Sequence, residues 1–128
     1  QIWQFSNNNT RKNKMKKNSI KKWTLEEVKQ SLDEFNWILL NNTFIVEYLK
    51  KEFAASSAYC LSMLPEEEDI YEVLVNGNIL LNLEFNKHTN EIFVCNTIDI
   101  DKYIDSLTNE AGKNFFRLAK EIGKQQNI

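Results

Sequence analysis

The densest group of side chains that could do chemistry is an acidic run directly after the chain's single proline. Its carboxylates belong to Glu66, Glu67, Glu68 and Asp69, and Glu72 follows three residues later. Carboxylates can ligate a metal, transfer protons or bind a basic partner. The run lacks the alternate-residue spacing and the turn glycine of a calcium loop, so no metal site is predicted. It is either a solvated loop that protects a sheet edge from aggregation or a partner-binding patch formed by all five residues.

Nucleophilic and cofactor chemistry find little support in the residue types. His88 is the single histidine, and no candidate nucleophile lies near it in sequence, so a Ser-His-Asp or Cys-His site is not indicated. Cys60 and Cys95 are 35 residues apart and form no zinc motif with one histidine, so both are expected to be buried thiols. The three glycines are isolated, which argues against a glycine-rich phosphate loop. We therefore predict neither an enzyme nor a cofactor.

Charge is divided unevenly along the chain. Residues 1–22 carry seven basic side chains and no acidic one, whereas residues 23–128 carry nine basic and eighteen acidic ones, within a formal net charge of −2. We predict a basic, flexible arm over 1–22 and a single acidic domain over 23–128. The domain would repel nucleic acid and attract cationic proteins, whereas the arm could bind phosphates. Met15 is a candidate native start, which would place residues 1–14 outside the functional protein.

The location of the protein follows from its apolar segments. No segment approaches the 18 consecutive apolar residues that a membrane-spanning helix needs. Residues 1–22 also lack a continuous apolar core of signal-peptide length. We therefore expect a cytoplasmic protein without a membrane partner.

The domain begins with a predicted helix. Residues 24–27 read Thr-Leu-Glu-Glu, which is a capping box, and the apolar spacing that follows places a helix at about 24–35. The apolar run 37–40 fits either a buried strand or the end of a helix, and periodicity does not distinguish them. Asn42 or Thr43 then caps a second helix.

A β-hairpin is predicted around Asn76-Gly77, because both residues tolerate positive φ. A two-residue loop would place Glu72 opposite Leu81, whereas a three-residue loop makes every member of one face apolar, so the latter is preferred. The opposite face mixes carboxylates with leucines and is expected to be only half covered. The predicted buried face consists of Tyr71, Val73, Val75, Ile79, Leu81, Leu83 and Phe85, covered by Phe115 and Leu118.

The remaining elements define the fold class. The run 59–64 favours a buried strand before the hairpin, and 91–95 forms an antiparallel strand after it. Asp99 or Asp101 caps a short helix, and Thr108 caps the final one. This order predicts an α+β fold, in which an antiparallel β-meander of about three to four strands packs against N- and C-terminal helices that cover one face.

The expected small, cytoplasmic, acidic α+β domain has no catalytic motif, and its composition is rich in Asn, Lys and Ile, which suits an AT-rich gene. In this profile, residues 23–128 resemble the bacterial toxin-immunity proteins, including those of contact-dependent growth inhibition systems. The resemblance implies an inhibitor that binds a cognate toxin domain, a cationic nuclease, and occludes its active site with carboxylates that mimic phosphates. The alternative is a nucleic-acid-associated regulatory or mobile-element protein that uses the basic arm.

Overall fold

A computed structural model describes residues 22–128, so nearly all of the predicted basic arm lies outside the described part of the chain. The described part is α+β, as predicted: two helices are followed by a four-stranded antiparallel sheet and two further helices. The elements are α1 (Leu25–Asn41), α2 (Thr43–Phe53), β1 (Ala58–Leu64), β2 (Asp69–Val75), β3 (Ile79–Phe85), β4 (Ile92–Asp99), α3 (Ile100–Ser106) and α4 (Glu110–Gly123).

Helix α1 begins at the predicted capping box and ends later than predicted. The backbone N–H of Glu27 donates to Thr24 Oγ1 at 3.2 Å, and the Glu27 carboxylate accepts from the Thr24 N–H at 3.0 Å. The apolar run 37–40 is the end of this helix and not a strand. Asn42 ends α1 and also caps α2, because its side chain accepts from the Ile45 N–H at 3.1 Å.

The four strands are paired in sequence order, β1-β2-β3-β4. The predicted hairpin register is confirmed: Val75 pairs with Ile79, and Val73 pairs with Leu81. The turn requires positive φ at Asn76 (54°) and Gly77 (70°), which an asparagine and a glycine adopt at low cost. The buried strand predicted near 59–64 is β1, and β4 extends past the predicted 91–95 to Asp99.

Helices cover the sheet on both faces, whereas coverage of one face was predicted. Val73 and Leu81 lie in one core with Leu39 at the end of α1 and with Ile45 and Leu49 of α2. We call this side of the sheet the α2 face. Because the cover of this face comes from α1 and α2, the predicted cover by the C-terminal helix was wrong.

The opposite side, which we call the α4 face, carries the second core. Leu74 and Leu80 pack there with Phe115 and Phe116 of α4, since neighbouring residues of a strand point to opposite sides of the sheet. Leu118 is only partly buried against this second core.

Two other details differ from the sequence predictions. Ile79, predicted to be buried, is 37% exposed because it lies at the turn end of β3. Asn109, and not Thr108, caps α4: its side chain accepts from the Gly112 N–H at 3.0 Å. Asp99 caps α3, as one of the two predicted alternatives.

The outer edge of β1 is closed by side-chain amides. Asn36 of α1 accepts from the Cys60 N–H at 2.6 Å and donates to the Cys60 carbonyl at 2.9 Å. Gln126 donates to the Ala58 carbonyl at 2.9 Å and to Asn36 Oδ1 at 2.8 Å. These bonds satisfy backbone groups that an edge strand would otherwise leave unpaired.

Candidate functional site

The five predicted partner-binding carboxylates divide into two groups. Glu66 and Glu67 are exposed in the loop between β1 and β2, and Glu68 is half-buried there. Asp69 and Glu72 belong to β2 and are 9% and 8% exposed. Only the loop carboxylates are therefore accessible to a partner without rearrangement.

Asp69 forms an ion pair with a lysine of the same chain. Lys87, in the turn between β3 and β4, approaches Asp69 Oδ1 with its Nζ at 3.3 Å. The same ammonium donates to the Glu66 carbonyl at 3.3 Å. Lys87 thus joins the turn to the acidic loop and neutralises the most enclosed carboxylate of the run.

Glu72 lies on the α4 face, where it contacts β1. Its Oε1 accepts from Ser62 Oγ at 2.7 Å. Burial raises the pKa of the Glu72 carboxyl, and the hydrogen bond from Ser62 opposes that shift. Its position and this bond indicate a role in joining β1 to β2 rather than in contacting a partner.

Glu68 is surrounded by other carboxylates at the end of the sheet that carries the β1–β2 loop. A hydrogen bond to Glu84 raises the pKa of Glu68, and the charges of Glu84, Glu67 and Glu91 raise it further. The hydrogen bond is the largest cause of the raised pKa, desolvation is the second, and the neighbouring charges add to it because each carboxylate disfavours ionisation of its neighbours. We call Glu66, Glu67, Glu68, Glu84 and Glu91 the acidic end.

Cys95 borders the acidic end and corrects one prediction. Cys60 is buried as expected, but Cys95 is exposed on β4. Its thiol donates to Glu84 Oε2 at 3.1 Å. Partial desolvation and this bond to Glu84 raise the pKa of the Cys95 thiol to about 11. The thiol is therefore protonated at neutral pH and is a poor nucleophile.

The single histidine was the other candidate catalytic residue considered from the sequence. His88 is exposed in the turn after β3, where its backbone N–H donates to Asn86 Oδ1 at 2.9 Å. Within residues 22–128, no three His, Cys, Asp or Glu side chains are grouped so as to hold a metal ion. No helix in the same span has the length and apolar character required to cross a bilayer.

An exposed apolar surface, which was not predicted from the sequence, lies at the junction of α1 and α2. Trp37, Leu40 and Phe44 are 69%, 41% and 52% exposed, and we call them the elbow patch. Extending the buried spacing of α1 from Leu32 to Leu39 would have placed Trp37 and Leu40 off the core-facing side. The elbow patch borders the sheet end that carries the carboxylates, because the rings of Phe44 and Phe85 are 6.2 Å apart.

No family model matches this chain, and no curated protein or solved structure was found to be similar to it.

Proposed function

We propose that this protein is an immunity protein that binds and neutralises a cognate cationic toxin domain, a nuclease, by covering its active site. The observation that carries the proposal is the acidic end, where Glu66 and Glu67 are exposed in a crowd of carboxylates. Of the cations in the described chain, Lys87 contacts this region and is engaged with Asp69. A nuclease site that binds phosphates with Lys and Arg has the complementary charge.

The neighbouring elbow patch supports a protein as the partner. Protein interfaces combine an apolar, often aromatic centre with a polar rim. Here Phe44 packs beside Phe85 of β3, and Asn90, which precedes Glu91, lines the same open groove as Phe44. The apolar area therefore reaches the same end of the sheet as the carboxylates, although Glu84 itself lies on the opposite, α4 face.

Co-expression tests the proposal directly. Cells that produce a secreted protein's variable C-terminal domain, encoded beside this gene, should survive when residues 15–128 are also produced. Death of cells that contain soluble, folded protein would refute immunity to that toxin. A direct binding measurement should then give a salt-dependent association rate, because exposed charges mainly accelerate encounter.

A charge reversal with a matched control separates the acidic end from net charge. Glu66→Lys with Glu67→Lys should slow association without unfolding the domain. Glu52→Lys with Asp105→Lys makes the same change in net charge at exposed positions in the last turns of α2 and α3. Both helix ends tolerate cations, so this control should remain folded. Equal slowing by both pairs would show that the acidic end has no special role.

A further inference from the structure

The elbow patch is exposed because the rotation of α1 is fixed from the other side. Asn36 is held by its two hydrogen bonds to the Cys60 backbone and is 4% exposed. Trp37 follows it and is turned by about 100° around the helix axis, away from the sheet. Its indole therefore cannot enter the core unless the bonds of Asn36 break.

Hydrogen bonds also hold the junction between the two helices. The Asn42 N–H donates to the Leu39 carbonyl at 3.0 Å, and the Asn42 side chain accepts from Ile45. Asn41 Nδ2 donates to the Trp37 carbonyl at 2.8 Å. A patch on such a junction is preorganised, so a partner pays little ordering entropy when it binds.

Two open grooves adjoin the elbow patch, and Trp37 lines both. One has a volume of about 410 Å³ and is lined without any charged side chain, by Trp37, Phe44, Tyr71, Phe85 and neighbouring polar residues. The other has a volume of about 530 Å³, and its charged lining residues are Asp33 and Glu34. Both volumes are in the range of ligand-binding clefts. The first groove suits an apolar side chain, and the second suits a cation.

The combination of an apolar groove with a negatively charged groove restricts the kind of molecule that could bind the elbow patch. Asp33 and Glu34 would repel an anionic membrane or a nucleic acid. A second copy of this chain is disfavoured too, because a two-fold axis through Trp37 would bring the carboxylates of both copies together. A basic polypeptide would be attracted by Asp33 and Glu34, and its binding would bring no carboxylates together.

We propose that the elbow patch binds a polypeptide segment in which an aromatic or branched apolar side chain is flanked by Lys or Arg. The apolar side chain occupies the groove between Trp37 and Phe44, and the cation lies beside Asp33 and Glu34. This inference rests on the proposed function for the existence of a protein partner. It adds that the partner is anchored on α1 and α2 as well as steered by the acidic end.

A random dodecapeptide phage library is a suitable probe, because it requires no knowledge of the natural partner. Phage are selected on the wild-type protein alone, without prior removal of binders of any variant. The enriched peptides should combine at least one aromatic or branched apolar residue with an excess of Lys and Arg. A synthetic peptide of the enriched sequence should then bind the Trp37→Ala variant about tenfold or more weakly than the wild type.

Matched variants show whether this loss is specific. Leu25→Ala removes an apolar side chain that is 52% exposed on the same helix, at a groove of mixed charge. It should leave peptide affinity unchanged. Asp33→Asn with Glu34→Gln should weaken binding and reduce its dependence on salt. Circular dichroism and melting curves of each variant would identify any that fails to fold.

Several outcomes would overturn the inference. They are a selection that yields no peptides, peptides without a basic excess, and peptides that bind the Leu25 and Trp37 variants equally. Peptides that match a strand or helix of this chain would indicate a second copy as the occupant. Because the selection uses no toxin, its success alongside failed co-expression would reject immunity and retain a protein-binding elbow.

Discussion

The two faces of the sheet bury their side chains to different extents. On the α2 face, Tyr71, Val73, Leu81 and Leu83 are all at most 2% exposed, and exposure begins at Ile79 beside the turn. On the α4 face, Leu74 and Leu80 are at most 3% exposed, but the same strands continue into half-buried Ile70, Asn82 and Glu84. One face is a core that is complete up to the turn, and the other changes from a core into a polar surface where the C-terminal helices no longer cover it.

The α4 face is also exposed where β4 pairs with β3. Glu84 pairs with Phe93, which places Phe93 on the α4 face, and Phe93 is 65% exposed. The sequence expectation of a half-covered face is therefore confirmed. The uncovered half is also where the carboxylates collect, so the core and the proposed partner-binding charges lie at different parts of the same sheet.

The largest effect should come from the complete core. Leu81→Ala removes a side chain with no exposed surface and leaves a cavity in the core that β3 shares with α1 and α2, so we expect a loss of about 2–5 kcal/mol in the free energy of unfolding. Denaturant unfolding measures it, with Leu25→Ala as an exposed control. A loss no larger than that of the control would show that the α2 face is not the principal core.

A smaller loss should follow from breaking the bridge between α1 and β1. Asn36→Ala leaves the Cys60 N–H and carbonyl without their side-chain partner, and we expect it to cost about 1–3 kcal/mol. Asn41→Ala is the matched control, because that side chain is exposed and bonds only within its own helix. Equal stability of the two variants would show that solvent satisfies the edge of β1 as well as Asn36 does.

Glu72 tests the boundary between the covered and uncovered halves. Because burial raises its pKa in the folded protein, folding favours the protonated carboxyl. The stability that this proton provides is complete below the unfolded-chain pKa, and is lost as pH rises through the folded-state pKa. Glu72→Gln keeps an acceptor for Ser62 and cannot ionise. It should therefore be more stable than the wild type at about pH 7, with the difference shrinking towards about pH 4.

Urea unfolding at both pH values provides that comparison. A Glu72→Gln variant that is less stable at neutral pH and matches the wild type in acid would reverse the sign, and would mean that the ionised carboxylate stabilises the fold. Glu47→Gln, at an exposed position of α2, controls for the loss of one negative charge.

The smallest effect belongs to the uncovered half. Phe93→Lys replaces an exposed ring with a cation near Glu84, and the free energy of unfolding should change by no more than about 0.5 kcal/mol. Thermal melting is sufficient to measure it. A loss comparable to that of Leu81→Ala would mean that Phe93 is part of a core and that the two faces are alike.

Much of the fold was predictable because local rules and burial agreed. The alternation of apolar residues and the Asn76-Gly77 turn determined the hairpin register. Which helix covers which face was not predictable. The alternation of residues along a strand shows which side chains share a face, but it does not show which helix packs against that face. The run 37–40 was ambiguous because four apolar residues fit a helix end and a buried strand equally well.

The candidate site was predictable only in part. The acidic run indicated an exposed charged loop, and Glu66 and Glu67 are exposed as that interpretation requires. The burial of Asp69 and Glu72 depends on Lys87 and Ser62, which come from other strands and turns. The elbow patch escaped notice because an exposed tryptophan looks, in sequence, like a core residue.

The backbone amide of Cys60 should show that the two edge strands of the sheet, β1 and β4, exchange amide hydrogens with water at different rates. An outward-facing amide of an edge strand normally exchanges in the early phase of a hydrogen–deuterium exchange experiment. The acceptor of the Cys60 amide, Asn36 Oδ1, is inside the protein, so this amide should instead remain protected as long as those of the central strands β2 and β3. Strand β4, which is paired in the described chain only with β3, should exchange first, and that early-exchanging strand marks where the sheet remains open to solvent.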